Sequence, residues 1–287
     1  LHAEEGAADE ARAHAHAARD LAGRADDGWL KARAIATLAY VVAEAGAPGE
    51  SLEPYALAAD GFARAGDRRR EALMRANMAW ALLRFGRVEE AERQTVAAIE
   101  ASQRIGNTVT VASCTHNLGV LRRITGDFAR AESLQAQAEA TASKRGNARL
   151  VSAALTERAY LALLRGEDVE ALALATKAAE RAEAARAPAL LASARAVSLR
   201  AEARAGVVSR DAVEAARALA ASQKDAEGRV ELLVALWEAS GRAEADRLAA
   251  REAVEVIVAR VDAPTARDAC REALRRRYVI ADEVLGG

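Results

Sequence analysis

Aromatic residues and prolines are scarce in this chain of 287 residues, which contains three Trp, four Tyr, three Phe and four Pro. Strands are usually marked by clusters of β-branched and aromatic residues with turn signals between them, and such clusters are rare here. Much of the 52% hydrophobic fraction is alanine, the residue with the highest helix propensity. The composition therefore predicts an all-α protein.

Charge, cysteine and long apolar runs are also limited, and each limit excludes a class of partner. No run approaches the ~18 apolar residues of a membrane span. The formal net charge of −1 gives no field that would recruit nucleic acid or an anionic membrane, and we interpret Arg68–Arg70 and Arg275–Arg277 as parts of solvated, mixed-charge faces. Cys114 and Cys270 are far apart and form no metal or redox motif. We expect a cytoplasmic protein without cofactor, metal or membrane partner.

Catalytic motifs are missing as well. The chain has no phosphate-binding G-x-x-x-x-G-K-[ST], no H-E-x-x-H and no G-x-S-x-G. Cys114 and His116 are two positions apart on a predicted helix and therefore point to different faces, so we interpret Cys114 as a buried core thiol. His14 and His16 have the same spacing and are assigned to an exposed helix surface rather than to a metal site. We predict that the protein is not an enzyme.

Glycine, by contrast, recurs at a fixed spacing. Six of the 18 glycines lie on a forty-residue lattice: Gly6, Gly46, Gly86, Gly126, Gly166 and Gly206. A second series, half a period out of phase, has a cation just before the glycine and Asp or Asn after it: Gly66, Gly106 and Gly146. A cation suits the last turn of a helix, glycine suits the left-handed position beyond it, and Asp or Asn caps the next helix. This self-similarity predicts a solenoid of stacked helical hairpins.

Each forty-residue unit consists of helix A, a tight turn, helix B and a second tight turn. The predicted helices span residues 6–24, 29–45, 51–64, 68–85, 88–104, 108–125, 128–144, 148–165 and 169–184. After them come a helix A that has Pro188 in its first turn and ends near Gly206, a helix B that Ser209 caps and that runs to about Ser222, a short helix A in the interval Gly228–Gly241, a helix B ending at about Arg260, and a final helix over 265–284. Arg186 stands where the lattice expects glycine, and Pro188 falls in the first turn of the next helix, where proline is tolerated. The interval Gly228–Gly241 is short, which predicts a helix A with about two turns fewer.

The two ends of the chain receive separate predictions. Because only residues 1–5 precede Gly6, we expect the chain to begin inside a repeat and to be part of a longer protein. The Asp262-Ala-Pro264 break predicts that residues 1–262 form the repeat domain and residues 263–287 a C-terminal capping helix over the exposed apolar end.

Two segments of the chain follow one pattern: Asn77-Met-Ala-Trp80…Gly86-Arg-Val-Glu-Glu-Ala91 and Asn117-Leu-Gly-Val120…Gly126-Asp-Phe-Ala-Arg-Ala131. The pattern is a small residue within helix A, a glycine at the end of that helix and an alanine five residues later. It resembles the tetratricopeptide repeat, and the resemblance extends from Gly6 to about Arg260. The forty-residue period differs from the usual thirty-four, and the closing proline is missing. In these respects the chain is similar to the long repeats of kinesin light chains and bacterial signalling regulators. The resemblance implies a right-handed α-solenoid of antiparallel hairpins.

The resemblance also implies a binding surface, because one column of helix A faces the concave groove in such proteins. That column contains Tyr40, Trp80, Val120, Tyr160 and Arg200, and the column three residues earlier contains Thr37, Asn77, Asn117, Glu157 and Val197. Resembling proteins use asparagines at this place to pair with a peptide backbone, which applies to Asn77 and Asn117. His116, Arg84 and Arg123 complete the predicted groove, where the arginines could meet a carboxylate or phosphate. The alternatives are that the aromatic rings pack between helices as ordinary core and that the arginines are solvated.

Two functions follow as hypotheses. The first is a protein-interaction module that binds a peptide or partner protein in the groove. The second is a sensor or regulatory region of a larger bacterial kinase or ATPase-type regulator, acting by intramolecular docking or self-association. The second rests on the expected start of the chain inside a repeat and on Ala250–Arg267. That segment is similar to the closing segment of repeat regions appended to Ser/Thr kinases, cyclases or signalling ATPases in bacteria.

Overall fold

The computed structural model describes residues 2–24, 27–44, 48–259, 261 and 264–285, with side chains for residues 10, 12–24, 27–43, 50–259, 261 and 266–285. These ranges contain fifteen α-helices and no β-strand: α1 (His2–Gly23), α2 (Gly28–Glu44), α3 (Pro48–Arg64), α4 (Arg68–Arg84), α5 (Val88–Arg104), α6 (Thr108–Ile124), α7 (Phe128–Lys144), α8 (Ala148–Arg165), α9 (Asp168–Ala184), α10 (Pro188–Arg204), α11 (Arg210–Ser222), α12 (Ala226–Ala239), α13 (Glu244–Val258), α14 (Pro264–Tyr278) and α15 (Asp282–Leu285). No helix in them is long and apolar enough to cross a membrane. The prediction of an all-α fold built from helical repeats is confirmed.

The turns between the helices follow the predicted physics. The lattice glycines within the described turns have φ between 66° and 86°, a region that side chains resist: Gly66, Gly86, Gly106, Gly126, Gly146, Gly166 and Gly206. The Asp67 carboxylate accepts a hydrogen bond from the Arg70 backbone N–H at 3.0 Å and so caps α4. Arg186, in the position of a missing glycine, takes the same left-handed conformation with φ 49°. The turn at residues 45–47, including Gly46, lies outside the described residues.

Some predicted helix bounds differ from the structure; α3, for example, begins at Pro48 rather than at Ser51. Gly6 lies inside α1 rather than in a turn, because the helix continues through it from His2. Helix α12 begins at Ala226, so Gly228 is its third residue and α12 is only three residues shorter than the 17-residue helices. The predicted single helix 265–284 is divided into α14 and α15 at Val279, whose φ of 51° ends α14.

The chain divides into two compact units. Unit 1 comprises Leu1–Asn117 with Arg260–Ala273, and unit 2 comprises Leu118–Ala259 with Leu274–Gly287. In unit 1, α1 packs on α2, α2 on α3, α3 on α4 and α4 on α5. In unit 2, α7 packs on α8, α8 on α9, α9 on α10 and α12 on α13, while the A helices α8, α10 and α12 also contact one another in sequence.

Small residues let the helices of each unit pack closely. The recurring alanines of both helix columns are at most 1% exposed: Ala39, Ala79, Ala91, Ala131, Ala159 and Ala171. Gly119 occupies the same column as Ala79, and a Cβ there would lie 2.5 Å from the Gln135 side chain of α7. Close approach of this kind forms part of the core, beside large buried side chains such as Phe62, Leu121 and Trp237. The small residue of helix A and the alanine after its closing glycine are therefore buried where the structure describes their side chains.

Candidate functional site

The predicted site residues of unit 1 form a partly exposed group on helices α2, α4 and α6. The Asn77 amide donates to the Tyr40 hydroxyl at 2.7 Å, which links the same face of two successive A helices. The Tyr40 side chain is 38% exposed, and its ring packs edge-on against Tyr55 at 5.7 Å. Partial burial raises the pKa of Tyr40, although the hydrogen bond from Asn77 opposes this. Tyr40 therefore packs by its ring and remains open to solvent.

The aromatic rings of Trp80 and His116 lie next to each other on α4 and α6. The ring centroids of Trp80 and His116 are 6.5 Å apart with a tilt of 38°, and both side chains are half-buried. Asn117 is half-buried beside His116. The group combines an indole from α4 with an imidazole and an amide from α6, which suits contact with a polar backbone and an apolar side chain.

Arg84 has a structural contact that recurs in the other unit. Its guanidinium donates to the carbonyl of Ala43 at 3.4 Å in unit 1, and Arg204 donates to the carbonyl of Leu163 at 2.7 Å in unit 2. Both pairs are 41 residues apart, so the same lattice position bonds the end of the preceding A helix. Arginine at this position donates to a carbonyl in the last turn of the preceding A helix, where intrahelical donors become scarce. This contact competes with the predicted role of Arg84 in ligand binding.

In unit 2 the predicted residues are buried against the last turn of α14. Arg123 donates to the carbonyls of Arg276 at 3.3 Å and Arg277 at 2.8 Å. Arg200 donates to the carbonyls of Tyr278 at 2.7 Å and Val279 at 3.0 Å. These carbonyls belong to a helix end, where the last C=O groups have no N–H donor within the helix. The two arginines thus bind four consecutive main-chain carbonyls of the chain's own C-terminal segment.

Both arginines are held in place by carboxylates of neighbouring A helices. Arg123 pairs with Glu157 at 2.6 Å, and Arg200 pairs with Glu238 through two hydrogen bonds of 2.7 and 2.9 Å. The guanidinium carbon of Arg123 also lies 5.0 Å from the centroid of the Tyr160 ring. Ionised partners raise the pKa of Arg200, although burial opposes this effect. The solvated alternative for Arg123 is wrong, since its side chain is 2% exposed.

Two acidic residues of α12 form the side-chain part of the site. Glu227 accepts hydrogen bonds from the Arg277 guanidinium at 2.8 Å and from the Tyr278 hydroxyl. One turn later, Glu231 accepts from the Tyr160 hydroxyl at 2.8 Å and from the Ser193 hydroxyl. Burial raises the pKa of Glu231 to about 7, against the opposing effect of these hydrogen bonds. Burial is also the main cause that raises the pKa of Tyr160 and Tyr278.

The structure thus separates the predicted site into two groups. Tyr40, Asn77, Trp80, Arg84, His116 and Asn117 belong to unit 1, whereas Val120, Arg123, Glu157, Tyr160 and Arg200 belong to unit 2. The ring of Tyr160 is core, with 2% exposure, so the packing alternative holds for this member of the aromatic column. Whether either group binds a partner stays a prediction.

Sequence reasoning missed Glu227, Glu231, Arg277 and Tyr278. The interpretation of Arg275–Arg277 as solvated is wrong for Arg277, which is 5% exposed because its guanidinium binds Glu227. One signal was available: Glu227 and Glu231 are one turn apart in a helix whose other residues are mostly apolar, apart from Arg229 and Glu238. Charges at helical spacing on an apolar helix indicate a buried partner of opposite charge.

Cys114 and His116 are not arranged for nucleophilic chemistry. Cys114 is fully buried against Ala76 and Ala98, and burial raises the pKa of its thiol to about 12. The neutral thiol is a poor nucleophile, so the core interpretation describes this residue correctly. Among the side chains that the structure describes, no three His, Cys, Asp or Glu residues are grouped so that they could hold a metal ion.

Comparison with known proteins shows the fold. No protein-family model matches the chain, and no curated protein matches its sequence. Among solved structures, BtubC (BKLC) from P. vanneervenii superposes with a TM-score of 0.60 at 19% identity, covering 75% of this chain and 92% of that chain. A Rap protein complexed with competence and sporulation factor gives a TM-score of 0.66 at 17% identity, covering 82% of this chain and 65% of that chain. The chain has a tetratricopeptide-type helical-repeat fold.

Proposed function

We propose that the protein is a non-catalytic interaction module that binds a peptide or a partner protein on the exposed face of its A helices. The observation that supports this most is the binding of four main-chain carbonyls by Arg123 and Arg200. Contacts to main-chain atoms do not depend on the sequence that is bound, which is what a peptide-binding surface requires. A neighbour of the same fold has been solved with competence and sporulation factor, and this supports a peptide or protein partner in general.

In unit 1, the residues at the equivalent positions of the A helices could contact such a partner. Tyr40 occupies the column of Tyr160 and Arg200, and Asn77 occupies the column of Glu157. Asn77 and Tyr40 present an amide and a hydroxyl on a surface that is partly open to solvent. A rigid aromatic ring with a polar tip provides large contact area at low conformational cost. We therefore assign partner contact first to Tyr40, Asn77 and Trp80.

A peptide-display selection against the full chain tests this function. Peptides selected on the wild-type protein should lose at least tenfold in affinity for Asn77→Ala/Trp80→Ala. They should bind normally to Val96→Ala, which removes an exposed side chain from helix B α5. Circular dichroism and thermal melting must show that both variants remain folded. Selected peptides that bind the double variant and the wild type equally would exclude this face.

A second candidate function is regulation within a larger signalling protein by intramolecular docking. It is favoured by the binding of the C-terminal segment to Arg123 and Arg200, because the chain already covers part of its own A-helix face. Reading the gene upstream of Leu1 tests this candidate. A kinase or nucleotide-binding signature in the same frame would support it, and a frame that contains neither would remove its basis.

A further inference from the structure

We infer that unit 2 contains a recognition site for a partner helix that ends in a basic residue followed by tyrosine, and that residues 277–278 occupy this site as an internal competitor. The site consists of Arg123, Arg200, Glu227 and Glu231, here called the Arg–Glu site. The inference rests on the proposed function and names the class of peptide that this part of the A-helix face would bind.

The charge of the site determines the first requirement on its occupant. Glu227 is 9% exposed as a residue, and two of its hydrogen-bond donors come from the C-terminal segment: the Arg277 guanidinium and the Tyr278 hydroxyl. A buried carboxylate without a cationic or hydrogen-bonding partner is strongly unfavourable. A peptide that displaces the segment removes this cation and this donor, so the peptide that replaces it best supplies both at the same two places. Arginine followed by tyrosine meets this requirement.

The main-chain contacts determine the second requirement. Arg123 and Arg200 bind carbonyls of four consecutive residues, from Arg276 to Val279. Carbonyls within a continuing helix are already bonded to N–H groups four residues further on, whereas those of the final turn are available. Two adjacent guanidinium groups thus recognise the carboxyl end of a helix. The basic–tyrosine pair must be the last part of that helix.

The chain's own segment is an imperfect occupant of the site. Val279 follows the pair in the left-handed region with φ 51°, and the Ile280 N–H closes the turn on the Arg275 carbonyl at 3.0 Å. This helix ending normally takes glycine, because a β-branched residue is strained there. A partner with glycine after the basic–tyrosine pair would make the same contacts without the strain. The third requirement is therefore Arg-Tyr-Gly at a helix end.

Covalent attachment gives the internal segment its advantage. A segment tethered to its site competes at an effective concentration of the order of millimolar, so it masks outside peptides of moderate affinity. Weakening the tethered copy should reveal the site, and a peptide without strain should bind best. These two expectations separate a recognition site from a contact that only stabilises the fold.

The experiment measures fluorescence anisotropy of a labelled synthetic peptide of residues 266–285 carrying Val279→Gly. The proteins are the wild-type full chain, the same chain with Arg277→Ala/Tyr278→Ala, and that variant with Glu227→Ala added. We expect the double variant to bind the peptide at least tenfold more tightly than the wild type, and the added Glu227→Ala to remove this gain. The peptide with Val279 retained should bind about fivefold more weakly, as expected for strain of about 1 kcal/mol.

Two controls fix the interpretation. A peptide that also carries Arg277→Ala and Tyr278→Ala should not bind, and equal binding of this control would overturn the inference. So would equal affinity of the wild type and the double variant. If the double variant does not fold alone, the intact peptide must restore its helical signal, and failure to do so also refutes the inference. The proposed function is judged separately, because the display-selected peptides report on Asn77 and Trp80 in unit 1.

Discussion

Gly86 provides a sharp test of where α14 packs in unit 1. A Cβ at Gly86 would lie 2.7 Å from the Ala269 carbonyl oxygen and 3.2 Å from the Ala273 Cβ, both in α14. Gly126 has nearly the same backbone, with φ 86° against 83°, but nothing lies within 4 Å of its Cβ position. Gly86→Ala and Gly126→Ala therefore differ in one respect only, the presence of α14.

The magnitudes follow from that difference. Both substitutions place a side chain at positive φ, which costs about 1 kcal/mol after allowing for the lower entropy of the unfolded alanine chain. At Gly86 the Cβ is about 0.7 Å closer to the Ala269 oxygen than the 3.4 Å of ordinary contact. Because the neighbour is backbone, α14 must move, and overpacking of this kind costs about 1–3 kcal/mol more. We expect losses of about 2–4 kcal/mol for Gly86→Ala and about 1 kcal/mol for Gly126→Ala.

Urea unfolding followed by circular dichroism measures both values, with the slope of the transition checked against the wild type. Hydrogen exchange should show faster exchange in α14 for Gly86→Ala and little change for Gly126→Ala. Equal losses of stability, or exchange in α14 that does not respond to Gly86→Ala, would refute the packing of α14 against this turn.

Three further predictions concern stability. Arg186→Gly should stabilise the folded protein by about 1 kcal/mol, because Arg186 has φ 49°. Arg145 has φ −98°, so Arg145→Gly should destabilise the folded protein by about 0.5–1 kcal/mol, and thermal melting compares the two variants. Burial raises the pKa of Glu231 to about 7 in the folded state, whereas the ordinary value in an unfolded chain is 4.5. The folded state therefore binds the proton more tightly, and the free energy of unfolding should fall by roughly 3 kcal/mol as the pH rises between these two values. Glu231→Gln should remove this slope in urea unfolding at pH 5 and pH 8. Asp67→Ala should lower the free energy of unfolding by about 2 kcal/mol, since Asp67 caps α4 and also accepts a hydrogen bond from the Trp29 indole at 3.0 Å. Asp127→Ala removes a cap alone and should lower it by about 1 kcal/mol in the same assay.

The repeat architecture could be predicted because its determinants are local. A cation, a glycine and a capping residue act within five positions of one another, and they set the helix ends wherever they occur together. The predicted bounds of α5, α7 and α8 agree with the structure to the residue. Arg186 stands where the glycine spacing predicts a glycine, and its backbone still takes the left-handed conformation expected at that position. In this part of the fold, local preference and tertiary structure agree.

The exposure of the aromatic column could not be predicted in the same way. Tyr40 and Tyr160 occupy equivalent register positions, yet one is 38% exposed and the other 2%. The difference arises from what packs against each ring. Tyr160 lies beneath Arg123 and donates to Glu231, 71 residues away in sequence. Periodicity predicts which face a side chain occupies, but contacts at such separations decide whether that face is covered.

The two α12 glutamates show how local reasoning could detect the Arg–Glu site before a structure. Glu227 and Glu231 are buried carboxylates in a largely apolar helix, and Val279 takes a helix-end position that usually requires glycine. Each choice is unfavourable by itself, because a buried carboxylate and a β-branched residue at positive φ both reduce stability. Both lie at the same place in unit 2, where Glu227 binds the residues immediately before Val279. Natural sequences concentrate such exceptions where a surface has a function besides folding, and this is why binding by the C-terminal segment is better interpreted as occupancy of a recognition site than as packing alone.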